Sequence, residues 1–90
     1  MAALTQDQCR RVYTDSGART WSLFEVLDVS GGDTIDMAAL TFYRVVKQAA
    51  WMGATVSGVA AATVTAPATI AAPGVLNHDA AYLLVDGVPA

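Results

Sequence analysis

Between Lys47 and Asp79 the chain carries no formally charged residue, and that window constrains the fold more than any motif does. A membrane-spanning helix needs about 20 predominantly apolar residues, normally rich in Leu, Ile or Phe. Ala49 to Ala72 is long enough, but it is built largely from Ala, Thr, Val and Gly, is interrupted by Pro67 and is followed by Pro73. β-Branched residues separated by small ones and broken by Gly and Pro predict short strands instead. Two or three are expected, over Thr55–Val59, Ala62–Thr65 and Ala68–Ala71, with Ala66 and Pro67 as a turn. No membrane partner follows from this pattern. Near the N-terminus, Asp7, Arg10 and Arg11 occupy the place where a secretory signal would need an apolar core.

The flanking segments read the same way. Thr20 to Leu27 alternates, with Trp21, Leu23, Glu25 and Leu27 on one face and Ser22, Phe24 and Val26 on the other. Both faces of that strand are substantially apolar. Ser30, Gly31, Gly32 and Asp33 form a strong turn signal. Phe42 to Met52 is expected as a strand, because β-branched and aromatic residues cluster there; a helix over Met37–Ala50 is the competing reading, from the spacing of Met37, Leu40, Tyr43 or Arg44, and Lys47. Ala80 to Val85 reads as a final strand ended by Asp86 and Gly87, and its apolar centre, Tyr82 to Val85, predicts burial on both sides. Thr5 to Tyr13 suggests a short helix, with Thr5 as N-cap and Gln8 three residues on, ending near Asp15 to Gly17. The expected fold is therefore mainly β: a small β-sandwich or barrel over 20–90, preceded by an N-terminal arm, 1–19, able to carry a short helix.

Charge narrows the function classes. Met1 to Thr20 sets Arg10, Arg11 and Arg19 against Asp7 and Asp15, while the rest sets Arg44 and Lys47 against six carboxylates, for a net charge of −3. An acidic body gives no electrostatic footprint for nucleic acid. Only 14% of the 90 residues are charged, well below the roughly 25% of an ordinary soluble domain, which predicts that a partner covers part of the surface. One cysteine and one histidine supply neither an internal disulfide nor a structural zinc site, and no cofactor motif is present. A domain of this size without such staples is commonly marginal or oligomeric.

Candidate chemistry is sparse. His78 beside Asp79 is the one pair suggesting a general base and its orienting group, with Ser16, Ser22, Ser30 or Ser57 as nucleophile; the alternative is a polar loop before the last strand. Asp28, Ser30, Asp33 and Asp36 gather oxygens that could attract a hard cation, but in an order no calcium loop uses, so a solvated turn is expected. Cys9 lies beside two arginines without a second thiol to resolve it and reads as a small packed residue. Partner contacts are expected at Arg10, Arg11 and Arg19 on the arm, and interface or core anchors at Trp21, Phe42 and Trp51.

Three stretches, Gly32–Asp36 (GDTID) leading to Tyr43–Lys47 (YRVVK), the Ala, Thr and Val middle, and Asn77–Gly87 (NHDAAYLLVDG), carry a wider resemblance. In texture the sequence resembles the small structural proteins of tailed bacteriophage virions, in particular capsid decoration or head-auxiliary proteins, over about two-thirds of its length on the strand pattern above. The resemblance implies a β-rich body made in the host cytoplasm, no enzymatic activity, and attachment to the major capsid protein or other virion proteins at the capsid surface. It also implies a homo-oligomer, frequently a trimer, and stabilisation of the assembled shell. Two other readings stand beside it: a low-copy tail, neck or fibre-associated protein, and a small β-sandwich binding module. An enzyme is the least supported, given the scarcity of titratable groups.

Overall fold

The computed structural model describes residues 3–14, 20–53 and 59–90. Eight strands occur among them: β1 (Cys9–Thr14), β2 (Trp21–Val29), β3 (Thr34–Asp36), β4 (Tyr43–Met52), β5 (Val59–Ala61), β6 (Thr63–Thr65), β7 (Thr69–Ala71) and β8 (Asp79–Pro89). They form two antiparallel sheets, one of five strands in the order β1-β2-β8-β4-β5 and one of three in the order β3-β7-β6. The mainly β, sandwich-like fold is as expected, and among the described residues no barrel closes.

Alternation builds the larger sheet. Ser22, Phe24 and Val26 on β2 are buried together with Leu83 and Val85 on β8 and Trp51 on β4. The smaller sheet supplies Ile35 and Ile70 from the other side. Trp51 joins the two layers, because its buried ring also donates from Nε1 to the Ala71 carbonyl at 3.0 Å. The chain changes sheets at Ala62, whose amide donates to the Ala49 carbonyl at 2.9 Å between β5 and β6. Buried polar groups at the β1/β2 end form a relay. Tyr43 Oη donates to Ser22 Oγ at 2.9 Å, and Ser22 Oγ donates to Thr14 Oγ1 at 3.3 Å.

Several expectations change. The helix over Thr5–Tyr13 is confined to a 3-10 turn, Gln6–Gln8, where Gln8 Oε1 accepts from the Thr5 amide at 3.1 Å. Within the segment expected as an arm, Cys9–Thr14 is the edge strand of the main sheet, with Cys9 buried opposite Val26. The local capping signal was real, but pairing with β2 puts the Cys9 side chain into the core beside Val26, a burial that the local signal does not register. The strand expected over Phe42–Met52 is present as β4, and the competing helix over Met37–Ala50 does not form. The helical spacing there supports a single turn, in which Asp36 Oδ1 accepts from the Ala38 and Ala39 amides and the Phe42 amide donates to the Met37 carbonyl at 2.9 Å. Thr41, at φ 64°, ends that turn, and β4 begins at Tyr43.

The short strand β3 lies inside GDTID, beside glycines and carboxylates whose local signal is that of a turn. Of the expected middle strands, Ala62–Thr65 and Ala68–Ala71 correspond to β6 and β7, while β5 covers Val59–Ala61. Residues 54–58, most of the expected Thr55–Val59 strand, lie outside the described residues. β8 runs past Asp86 and Gly87 to Pro89, because Gly87 meets β4 at an irregularity and keeps pairing. Its burial is one-sided: Leu83 and Val85 are inaccessible, but Tyr82 is 42% exposed.

Candidate functional site

The solvent side of the five-stranded sheet is the first candidate, and its register can be read row by row. Tyr13 pairs with Leu23, Leu23 with Leu84, Leu84 with Ala50, and Ala50 with Ala61, so one apolar row crosses all five strands. A second row runs Glu25, Tyr82, Met52, Val59, and a third Trp21, Asp86, Gln48. Cross-strand partners share a face, so these side chains form one surface. Its polar members are already matched. Arg10 Nη2 lies 2.7 Å from Glu25 Oε1, and Gln48 Nε2 donates to Asp86 Oδ2 at 3.1 Å. A dent of about 300 Å³ opens where the side chains are smallest, lined by Trp21, Gln48, Ala50, Val59, Ala61 and Leu84. Tyr82 stands beside it with its ring against Gly53, where an added Cβ would come within 3.3 Å of Cδ2.

The six residues expected at a contact surface separate into different environments. Arg10 and Trp21 lie on this outer face. Arg11 points the other way, with its guanidinium carbon 5.5 Å and 5.4 Å from the ring centres of Phe24 and Phe42. Phe42 is partly buried and meets Phe24 edge-on, their centres 4.8 Å apart. Trp51 is a core residue. Arg19 lies outside the described residues. Tyr13, Leu84 and Ala61 were missed as surface residues, since only the pairing register brings them into one row.

The second candidate is the loop end holding Asp28, Ser30, Asp33, His78 and Asp79. The carboxylate on the imidazole is Asp28 and not Asp79: His78 Nδ1 is 2.7 Å from Asp28 Oδ1, with both side chains largely exposed. Asp79 Oδ2 instead accepts from the Asn77 amide at 3.0 Å. Ser30 Oγ accepts from the His78 backbone amide at 3.0 Å. Asp33 Oδ2 accepts from the Ser30 amide at 2.9 Å. These bonds stitch the turn after β2 to the loop before β8, reinforced by the Gly31 amide donating to the Leu76 carbonyl at 2.7 Å. The acidic residues at 28–36 serve separate donors, and among the described residues no group of three or more His, Cys, Asp or Glu converges. Cys9 is buried, and loss of hydration pushes its thiol up to about 11.

Fold and surface together define a class: a charge-poor, two-sheet antiparallel β-domain that presents an apolar sheet face with its polar groups paired. Among the described residues no helix is long and apolar enough to cross a membrane. Comparison with protein-family models, with curated proteins and with solved structures finds no match.

Proposed function

We propose that this protein is a non-catalytic structural component of a tailed-phage virion, made in the host cytoplasm, that binds the outside of the assembled capsid and stabilises it. Its partners are the major capsid protein or other virion proteins, and copies of itself. The supporting observation is the outer face, where apolar residues on all five strands are bordered by matched polar pairs. An apolar centre with a satisfied polar border is the anatomy of a protein-binding patch. It suits a protein whose work is adhesion in many copies: weak contacts at many repeated sites add, and a ligand that binds only the assembled shell stabilises it by mass action. The resemblance to decoration proteins supplies the identity of the shell.

Quantitative peptide mass spectrometry on density-purified particles tests this. The expected result is a copy number comparable to that of the main shell protein. A handful of copies per particle would move the protein to the tail, neck or fibre, and absence from the particles would leave the binding module in its place. Arg10→Glu should lower particle occupancy. Because the Arg10–Glu25 pair is exposed, the same change should cost under about 1 kcal/mol of stability, read from urea unfolding.

A further inference from the structure

We infer that the outer face of the five-stranded sheet is the contact between two copies of this chain, packed sheet to sheet about a two-fold axis that runs along β8. This deepens the reading above by naming the occupant of that face, and it does not depend on the particle being a virion.

The central row carries the inference. From β1 to β5 it reads Tyr13, Leu23, Leu84, Ala50, Ala61: three large side chains, then two small ones. β8 is the middle strand of the five. A two-fold along it lays β1 of one copy over β5 of the other and β2 over β4, at the same height. Tyr13 then faces Ala61, Leu23 faces Ala50, and Leu84 meets its own counterpart. Large residues fall on small ones on both sides of the axis, and on it Leu84 packs on Leu84, the self-complementarity that an isologous interface demands. The dent beside Ala50 and Ala61 receives the Tyr13 ring, which is 65% exposed in the single chain.

Size and charge set its strength. Five strands at about 4.8 Å spacing and the span from Trp21 to Leu27 at about 3.3 Å per residue give a footprint of about 500 Å². That is about a tenth of the 4856 Å² surface of the chain, the share a standard interface takes of a small protein. Counted over both copies it is about 1,000 Å², below the standard class and at the threshold for a specific contact, so the dimer should be weak, reversible and concentration-dependent. On this face Arg10 balances Glu25, while Asp86, hydrogen-bonded only to the neutral Gln48 amide, lies on β8 and faces its own counterpart across the axis, so added salt should strengthen the dimer.

Sedimentation velocity of the purified protein, from micromolar to millimolar, should show a monomer passing into a dimer. Ala61→Arg fills the dent and places a charge in it. At an exposed position on a short edge strand, it should leave the dilute melting curve unchanged while raising the dissociation constant roughly ten-fold or more. Tyr13→Ala, at the far end of the same row, should weaken the dimer in the same direction. A mixture of Tyr13→Cys and Ala61→Cys chains treated with a short bis-maleimide should cross-link between the two variants in preference to either with itself. A wild-type chain that stays monomeric throughout would overturn the inference, as would an oligomer, trimer included, that survives Ala61→Arg, or cross-links joining Tyr13→Cys only to itself. None of these outcomes touches the copy number per particle, so the two readings fail separately.

Discussion

Thr41 is a β-branched residue held in the left-handed region, at φ 64°, where a side chain costs about 1–2 kcal/mol. The turn over Asp36–Phe42 requires that geometry to stop and release β4. Thr41→Gly keeps the turn and removes the steric cost, so it should raise stability by about 1 kcal/mol, seen as a higher urea midpoint at unchanged slope; a lower midpoint would show that the threonine hydroxyl matters more than its backbone. Cys9 gives a pH-dependent counterpart. Its thiol titrates at 9.0 in an ordinary environment and at about 11 in the fold, so between these values the unfolded chain releases a proton that the folded chain keeps. Stability is therefore full below pH 9 and falls as pH rises toward 11, by at most about 1.4 kcal/mol per unit. Comparing wild type with Cys9→Ala over that range isolates the effect, because every other titrating group is common to both.

At the scale of elements, legibility in the sequence followed the side-chain period. β2 could be read residue by residue, since Trp21, Leu23, Glu25 and Leu27 do lie on one face and Ser22, Phe24 and Val26 on the other. β8 was harder. Tyr82 and Leu84 are as apolar as Leu83 and Val85, so the pattern implied two buried sides where a single chain buries one. β1 was obscured because a Thr–Gln capping pair is a local signal, whereas the register that places Cys9 inside and Tyr13 outside is set by β2. The outer face shared that fate: its residue types were in view, its rows were not. Gly87 shows what the register imposes. It sits where β8 meets irregularities in β4, and a Cβ there would collide with the Val45 carbonyl oxygen and stand 3.0 Å from Val46 Cα. Backbone cannot retreat as a flexible side chain can. Gly87→Ala should therefore be among the most damaging small substitutions in the chain, costing at least about 2 kcal/mol and lowering the melting temperature by many degrees.

On the scale of the whole molecule, the two sheets share one apolar interior, and Trp51 is both packed in it and hydrogen-bonded across it. Neither layer retains a buried face without the other, so unfolding should be a single step, with the tryptophan fluorescence and far-ultraviolet dichroism transitions superimposing. In a Trp21→Phe chain, which reports from Trp51 alone, separated transitions would mean that the small sheet peels away first. The strand order also sets a timetable for synthesis. β8 lies between β2 and β4, yet both of those strands are translated before it. While a ribosome is still making the intervening segment, the nascent chain holds two long strands whose facing backbone groups have no neighbour to pair with. The sheet cannot assemble progressively from one end as a hairpin meander does; it waits for the strand that fills the gap. Until then the chain exposes open strand edges that other chains can pair with, and chaperone dependence should be greatest for ribosome-stalled chains that stop short of Asp79.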